Sequence, residues 1–487
     1  MNMITFGKRI LSWIITLTGC LVAVIFTIIL IRGFDARRMP DLKIWHTARL
    51  SPEFKASDME PGFTFVDYLK REDRLFADLS RSVYQQIAVN DQHVFNRYYT
   101  ESFCHPDRQE KNWNRTFELH SEHPKGGVLL LHGLSDGPYS MRALAHIFYR
   151  QGYYVLVPRL PGHGTIPGML KNTAWKDWVA ATDLAAHHVR SVIGSDAPFL
   201  LGGYSNGGLI AVYYALNMVN NESPMKPQKL FLFSPAIGIT RFAAFSGLHR
   251  VLSFIPYFEK IAWESIAPEY DPFKYNSFPK IAGHQLYQLT RVTQKLIDHL
   301  KKNKKLEQLP PIQTFSSVVD STVLTPSLVT HLYNQLKPNG HELVLFDVNR
   351  FSALESFIKD RHDAFLGNLK EASDLPYAWT LVTNQASDTL RIVAETRTAC
   401  SDAVTQEPLN LEWPRGIYSL SHVAVPFSPD DPLYGEREDL KKKGAFVLGM
   451  AEPRGEKGVL EVPVDQLMRL RYNPFFAYME RRIVESM

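Results

Sequence analysis

This sequence predicts an α/β fold: a doubly wound, mostly parallel sheet carrying a helical cap insertion and a β-hairpin insertion, preceded by one N-terminal transmembrane helix. Three observations predict it. From Gly126 to Phe233, short continuous apolar runs alternate with segments of helical periodicity, as in parallel strands buried on both faces and joined by crossover helices. Between 238 and 309 the alternation stops, and Pro256, Pro268, Pro272 and Pro279 punctuate a helical, aromatic-rich stretch. Finally, Ile10 to Ile31 reads ILSWIITLTGCLVAVIFTIILI, with neither a charge nor a proline.

A run of that length crosses a bilayer as one helix. Lys8 and Arg9 precede it, and Arg32, Arg37 and Arg38 follow with Asp35 among them. The basic residues at the two ends nearly balance, so orientation is weakly set. The short basic N-terminus resembles a signal-anchor, which puts the bulk of the chain on the extracytoplasmic, periplasmic side. Leu17-Thr18-Gly19-Cys20 resembles a lipoprotein cleavage box with Cys20 as the lipidated residue. The apolar run continues to Ile31, however, where a processed lipoprotein has a polar tether, so a cleavable signal is the second reading. Either way the expectation is a single-pass or tethered membrane protein, with the bilayer as a partner.

The 487 residues suffice for one large domain with insertions, or for two to three modest ones. With 45% hydrophobic and 21% charged residues, a globular core is well supplied. The net charge of +4 is too near balance to argue for nucleic acid, and oligomeric state is not legible. Three cysteines exclude a disulfide-dense scaffold. Cys104 and Cys400 either form one bridge, if they lie outside the cytoplasm, or are two unrelated thiols.

Taken in order, the chain divides into an anchor (1–32), a linker and helical arm with edge strands (33–120), and the main domain (121–487). Pro40, Pro52 and Pro61 mark the linker. Phe65, Tyr68, Leu69, Leu75, Phe76, Leu79 and Val83 fall at helical spacing, and Tyr98 to Leu119 reads as one or two edge strands. The main domain follows with strands at Val128–Leu131, Tyr153–Val157, Phe199–Leu201 and Lys229–Phe233. Helices fall between or after them at Met141–Gln151, Trp175–Ile193 and Leu209–Val219. Strands resume at Ile312–Val319 and Glu342–Val348, which leaves 238–309 as a cap over the strand ends. A second insertion, 351–415, holds two alternating runs, Ala378–Thr383 and Thr389–Glu395, that suggest a hairpin.

The chemistry centres on Gly203-Tyr204-Ser205-Asn206-Gly207. A serine at a sharp strand-to-helix turn needs small neighbours, and Gly203, Gly207 and Gly208 supply them. The five-residue pattern alone also fits an ordinary glycine-rich turn. An apolar strand before it and a helix after it favour a nucleophile. His132-Gly133-Leu134 directly follows the strand VLLL. Acyl transfer needs backbone N–H groups aimed at the developing oxyanion, and Leu134 and Asn206 stand at the positions that supply them in such an architecture. His132 reads as a structural loop residue, since it precedes the serine and the chain order runs serine, acid, histidine.

The segments LLLHGLSDGPYSM, VPRLPGHG and GGYSNGG resemble those of bacterial esterases, lysophospholipases and monoacylglycerol lipases of the α/β-hydrolase superfamily. The likeness is good over 120–235, fair over 310–350 and poor elsewhere. It implies that Asp320, in the strand-turn segment Pro311 to Val323, orients a catalytic histidine. Ser316-Ser317-Val318 departs from the glycine often found there, and Asp347 is the fallback acid. For the base, His331 reads as helical, His341 as a polar turn and His362 as solvated among charges. His422 follows the apolar run Gly416–Leu420, read as the last sheet strand, and is chosen. The loop Pro426–Gly435 then reads as a rigid holder of that histidine, with a calcium or recognition site as the rival reading.

The implied reaction is two-step ester cleavage through Ser205, Asp320 and His422, without cofactor or metal: no H-E-x-x-H, paired cysteines or phosphate-binding glycine loop is present. Phe242, Phe245, Leu248, Leu252, Phe254, Ile255, Tyr257, Phe258, Ile261 and Trp263 form either an acyl pocket or an ordinary cap core, and with the expected anchor they favour a lipid or lysophospholipid ester. The rivals are a peptidase or acyltransferase on the same triad, and a silent hydrolase-like binding domain.

Overall fold

The computed structural model describes residues 3–238, 256–351, 361–436, 439, 447–449 and 463–487. Its centre is a ten-stranded sheet. In chain order the strands are β1 (Phe117–Leu119), β2 (Gly127–Leu131), β3 (Tyr154–Val157), β4 (Phe199–Tyr204) and β5 (Lys229–Phe233). A separate two-stranded pair follows, β6 (Trp263–Ser265) with β7 (Phe278–Pro279). Then come β8 (Ile312–Ser317), β9 (Glu342–Phe346), β10 (Ala378–Asn384), β11 (Arg391–Arg397) and β12 (Val404–Glu412). The order across the large sheet is β1-β3-β2-β4-β5-β8-β9-β10-β11-β12. From β3 to β10 every neighbouring pair is parallel, while β1 at one edge and β11 and β12 at the other are antiparallel.

The apolar runs become central strands because their alternate residues enter two separate cores. Leu129 and Leu131, Phe199 and Leu201, and Leu230 and Leu232 point to one face. Val128 and Leu130, Leu200 and Tyr204, and Phe231 and Phe233 point to the other. The first face is covered by α5 (Trp175–Ile193), α6 (Asn206–Asn220) and α7 (Lys280–Lys302). The second is covered by α4 (Arg142–Arg150) and the C-terminal helix Phe476–Glu485. Helices on both faces are what a strand with no polar face requires.

The segment read as linker and arm packs into this body. The helix α3 (Phe65–Ser82) starts with a Thr64/Asp67 capping box and buries Phe65, Tyr68, Leu75 and Leu79. Phe54, Phe65 and Tyr68 share the first core with the sheet. Arg159, fully buried, donates to both carboxylate oxygens of Glu53 at 2.9 and 3.0 Å and to Glu72 at 3.1 Å. A buried guanidinium is tolerated only when so paired, and this pairing ties residues 53–72 to the loop after β3. Of the expected edge strands, Phe117–Leu119 forms.

The single-pass membrane reading is corrected. The helix α1 (Met3–Arg38) forms, but among the described residues no helix is long and apolar enough to cross a membrane. The bilayer partnership and the periplasmic placement built on that span lose their basis. Lys260 instead joins the end of α1 to the body, donating to Met39 O at 3.2 Å and pairing with Asp41 at 2.6 Å.

Two further expectations change. The hairpin read at 378–395 exists as β10 and β11, yet β10 pairs in parallel with β9 and so extends the central sheet. Because β10 takes that place, the apolar run at 416–421 is not a strand: it makes one bridge, Val348 with Ser419, and ends in the 3₁₀ turn His422–Ala424. Phe242, Phe245, Leu248, Leu252, Phe254 and Ile255, and the side chains of Tyr257 and Phe258, lie outside the described residues. Ile261 and Trp263 are buried.

Candidate active site

Ser205 sits between the end of β4 and the start of α6, with φ +54° and ψ −114°. A non-glycine residue there carries roughly 1–3 kcal/mol of strain. The turn is held on both sides: Ser205 N–H donates to Phe233 O and Ala236 N–H donates to Ser205 O, each at 2.9 Å. The glycines are obligatory by space. A Cβ on Gly207 would lie 2.0 Å from Leu131 O, and one on Gly203 would lie 2.3 Å from Gly207 C. A serine at a helix N-cap ordinarily bonds the first turn; Ser205 occupies that position and makes no such bond, so its hydroxyl is not committed to the helix.

His422 and Asp320 meet. His422 Nδ1 lies 2.6 Å from Asp320 Oδ2, with the imidazole 5% exposed and the carboxyl side chain fully buried. The other oxygen, Oδ1, accepts Thr322 N–H and Val323 N–H at 2.9 Å each. Both oxygens are therefore assigned, and Nδ1 of the histidine is the donor. The ring also packs on Tyr204, the residue before the serine, at 5.2 Å between centroids. Asp320 and His422 thus meet beyond the C-terminal end of β8, and His422 packs on Tyr204 at the end of β4.

The sequence expected backbone donors at Leu134 and Asn206. Asn206 is the first residue of α6, so its N–H has no partner within the helix. The close approach of Gly207 to Leu131 O and His132 O brings that helix end against the loop bearing Leu134. The Asn206 carboxamide is fully buried, and neither its N nor its O has a hydrogen-bond partner among the described residues. His132 is structural, as expected. Its Nε2 accepts Leu160 N–H at 3.0 Å, which leaves Nδ1 to donate to Gly133 O at 3.0 Å, and burial holds its pKa well below the usual histidine value. It thereby joins the Leu134 loop to the Leu160–Gly164 loop.

Two of the rival candidates, Asp347 and His341, are occupied elsewhere. Asp347 binds Arg350 and accepts Thr383 Oγ1–H at 2.7 Å. His341 Nδ1 accepts Ile312 N–H at 3.1 Å, and burial lowers its pKa to about 4. His331 ends the exposed side of α8 (Thr325–His331). The loop 426–435 is anchored through Asp431. Its Oδ1 accepts Tyr139 OH at 2.8 Å, Leu433 N–H at 3.0 Å and Tyr434 N–H at 2.9 Å, and its Oδ2 pairs with Arg142 at 3.2 Å. Cys104 is buried and Cys400 exposed, and they are not bridged; burial pushes the Cys104 thiol up to about 12. Among the described residues no cluster suits a metal ion.

A cleft of about 240 Å³ opens beside the histidine, lined by Ser135 and Asp136 after Leu134, by Val423 after His422, and by Lys274, Arg469 and Arg471. Sequence reasoning missed these cations. They lie in segments without periodicity or motif, and only the fold brings 136, 274 and 469 together.

Residues 122–346 match the family model described as serine aminopeptidase, S33. A thermostable monoacylglycerol lipase of Bacillus sp. (strain H-257) is 35% identical over 97 residues, 20% of this chain and 38% of that protein. The chain thus spans well under half the length of that curated relative. Two solved structures resemble the fold. One, from work on the metagenome-derived lipolytic enzymes LipS and LipT, has 22% identity, TM-score 0.37 and coverage of 53% of this chain and 96% of that one. The other, the Paleococcus ferrophilus monoacylglycerol lipase, has 18% identity, TM-score 0.36 and coverage of 52% and 97%. The mostly parallel sheet, the strained serine turn and the match to that family model over 122–346 give this chain an α/β-hydrolase fold.

Proposed function

We propose that the protein hydrolyses carboxylic esters, with Ser205 as nucleophile, His422 as general base and acid, and Asp320 as the group that holds His422. The observation that carries this is the 2.6 Å Asp320–His422 bond beside a serine held at positive φ. With Nδ1–H donated to Asp320, Nε2 is the basic nitrogen and takes the Ser205 proton as Oγ attacks the carbonyl. Leu134 and Asn206 N–H groups receive the oxyanion. Collapse expels the alcohol, protonated by His422, and water activated by the same nitrogen releases the acid and regenerates Ser205.

A lipid-type ester is the favoured substrate class, supported by the monoacylglycerol lipase that is 35% identical over 97 residues. The name of the matched family model favours one rival, aminopeptidase action on the same triad. Turnover of p-nitrophenyl butyrate and 1-acylglycerols, against aminoacyl p-nitroanilides, decides between them. Ester turnover abolished by Ser205→Ala is the expected result. Nitroanilide cleavage without ester cleavage selects the peptidase, and absence of both selects the silent binding domain.

A further inference from the structure

We propose that the cleft beside His422 is a subsite for an anionic group, phosphate or carboxylate, carried by the ester substrate a few atoms from its carbonyl. This rests on the ester-hydrolase reading and narrows its substrate. The position is the first argument: the cleft is walled by Ser135 and Asp136, directly after the Leu134 donor, and by Val423, directly after His422. A substrate whose carbonyl sits between Ser205 and those donors projects one arm into it.

The charge balance is the second argument. Three cations line the cleft, Lys274, Arg469 and Arg471. Lys274 pairs with Asp136 at 3.3 Å. Arg471 lies 3.8 Å from buried Asp271 and donates to Tyr270 OH at 3.2 Å. Arg469 has no carboxylate partner among the described residues; it makes a single long contact, 3.4 Å, to the Thr322 hydroxyl. Among the described residues, two carboxylates against three guanidinium and ammonium groups leave one positive charge uncompensated in a walled cleft, where low-dielectric surroundings strengthen its pull on an anion. The planar donor fork of an arginine suits the paired oxygens of phosphate or carboxylate. A neutral glycerol ester offers that fork nothing.

The test uses the full chain and three esters with one acyl chain: 1-acylglycerol (neutral), 1-acylglycerol 3-phosphate (phosphate) and 1-acylglycerate (carboxylate). The expected result is that kcat/KM for at least one anionic ester exceeds that for the neutral one at least tenfold at low salt. Arg469→Gln lowers that ratio about tenfold, mainly through KM, and Arg469→Lys recovers part of it. The preferred anion identifies the source. A neutral ester turned over as well as both anions overturns the inference and leaves the hydrolase reading standing, as does an anionic preference unchanged in Arg469→Gln. Failure to turn over all three esters and p-nitrophenyl butyrate removes both.

Discussion

Asp320 shows how little freedom a residue at this site has. Its Oδ1 is filled by two backbone N–H groups and its Oδ2 by His422 Nδ1. In Asp320→Asn the amide oxygen must stay with the two backbone donors, which turns the NH₂ toward His422. Nδ1 then has to accept, Nε2 carries the proton, and the ring cannot take one from Ser205. Esterase kcat should fall by about 10⁴-fold, as for the equivalent change in a serine protease triad, while the melting temperature moves by only a few degrees. A variant that keeps most of its kcat would show that His422 is not the base. At this scale the turn at Ser205 was legible because a strained, crowded strand-to-helix turn constrains residue types locally. Arg469 was not, since it faces a cleft assembled from four distant segments.

Among elements, the loop after His422 makes the histidine's position a property of the first βα unit. Asp431 reaches back to Tyr139 and Arg142, at the start of α4, with its carboxyl group almost fully buried. Asp431→Ala leaves a half-buried guanidinium, the Tyr139 hydroxyl and two loop N–H groups without their acceptor, and should cost about 1–3 kcal/mol. The measurement is urea unfolding, with a drop in ester turnover reflecting a loosened His422. An unchanged midpoint would show that the loop does not depend on this carboxylate. The stretch 426–435 could be read as a rigid loop from its prolines, but its partners lie nearly three hundred residues earlier and leave no local trace. The same limit explains the run at 416–421: its apolar pattern suits a strand, and only the pairing of β10 with β9 shows that the sheet has no vacant place for it. Strands β2, β4 and β5 were legible because burial on both faces makes every residue apolar.

For the whole molecule, four buried histidines couple stability to pH. Burial lowers His46 to about 3, His163 and His341 to about 4, and His132 well below the usual value. Three of them also accept a backbone N–H through a ring nitrogen that must stay unprotonated: His46 from Lys43, His132 from Leu160 and His341 from Ile312. Their folded pKa values lie below the unfolded value of about 6.5. Their stabilising contribution is therefore complete above pH 6.5 and is lost as pH falls toward 4, each removing up to about 1.4 kcal/mol per pH unit. The melting temperature should drop steeply between pH 6.5 and 5, and a flat profile across that range would contradict the burial. The N-terminal segment shares in this, since His46 also bonds Ser277 Oγ at 3.0 Å and so joins residues 43–47 to the residue before β7. What binds the early residues to the body is thus buried chemistry, Arg159 with Glu53 and Glu72 included.

The central claim is that Ser205 is an activated nucleophile, and intact-mass analysis after reaction with a fluorophosphonate tests it most directly. The account predicts one adduct on the wild-type chain, mapped to Ser205, none on Ser205→Ala, and labelling slowed at least a hundredfold in His422→Ala. A wild-type chain that takes no label, or a Ser205→Ala chain labelled as fast as wild type, would contradict it.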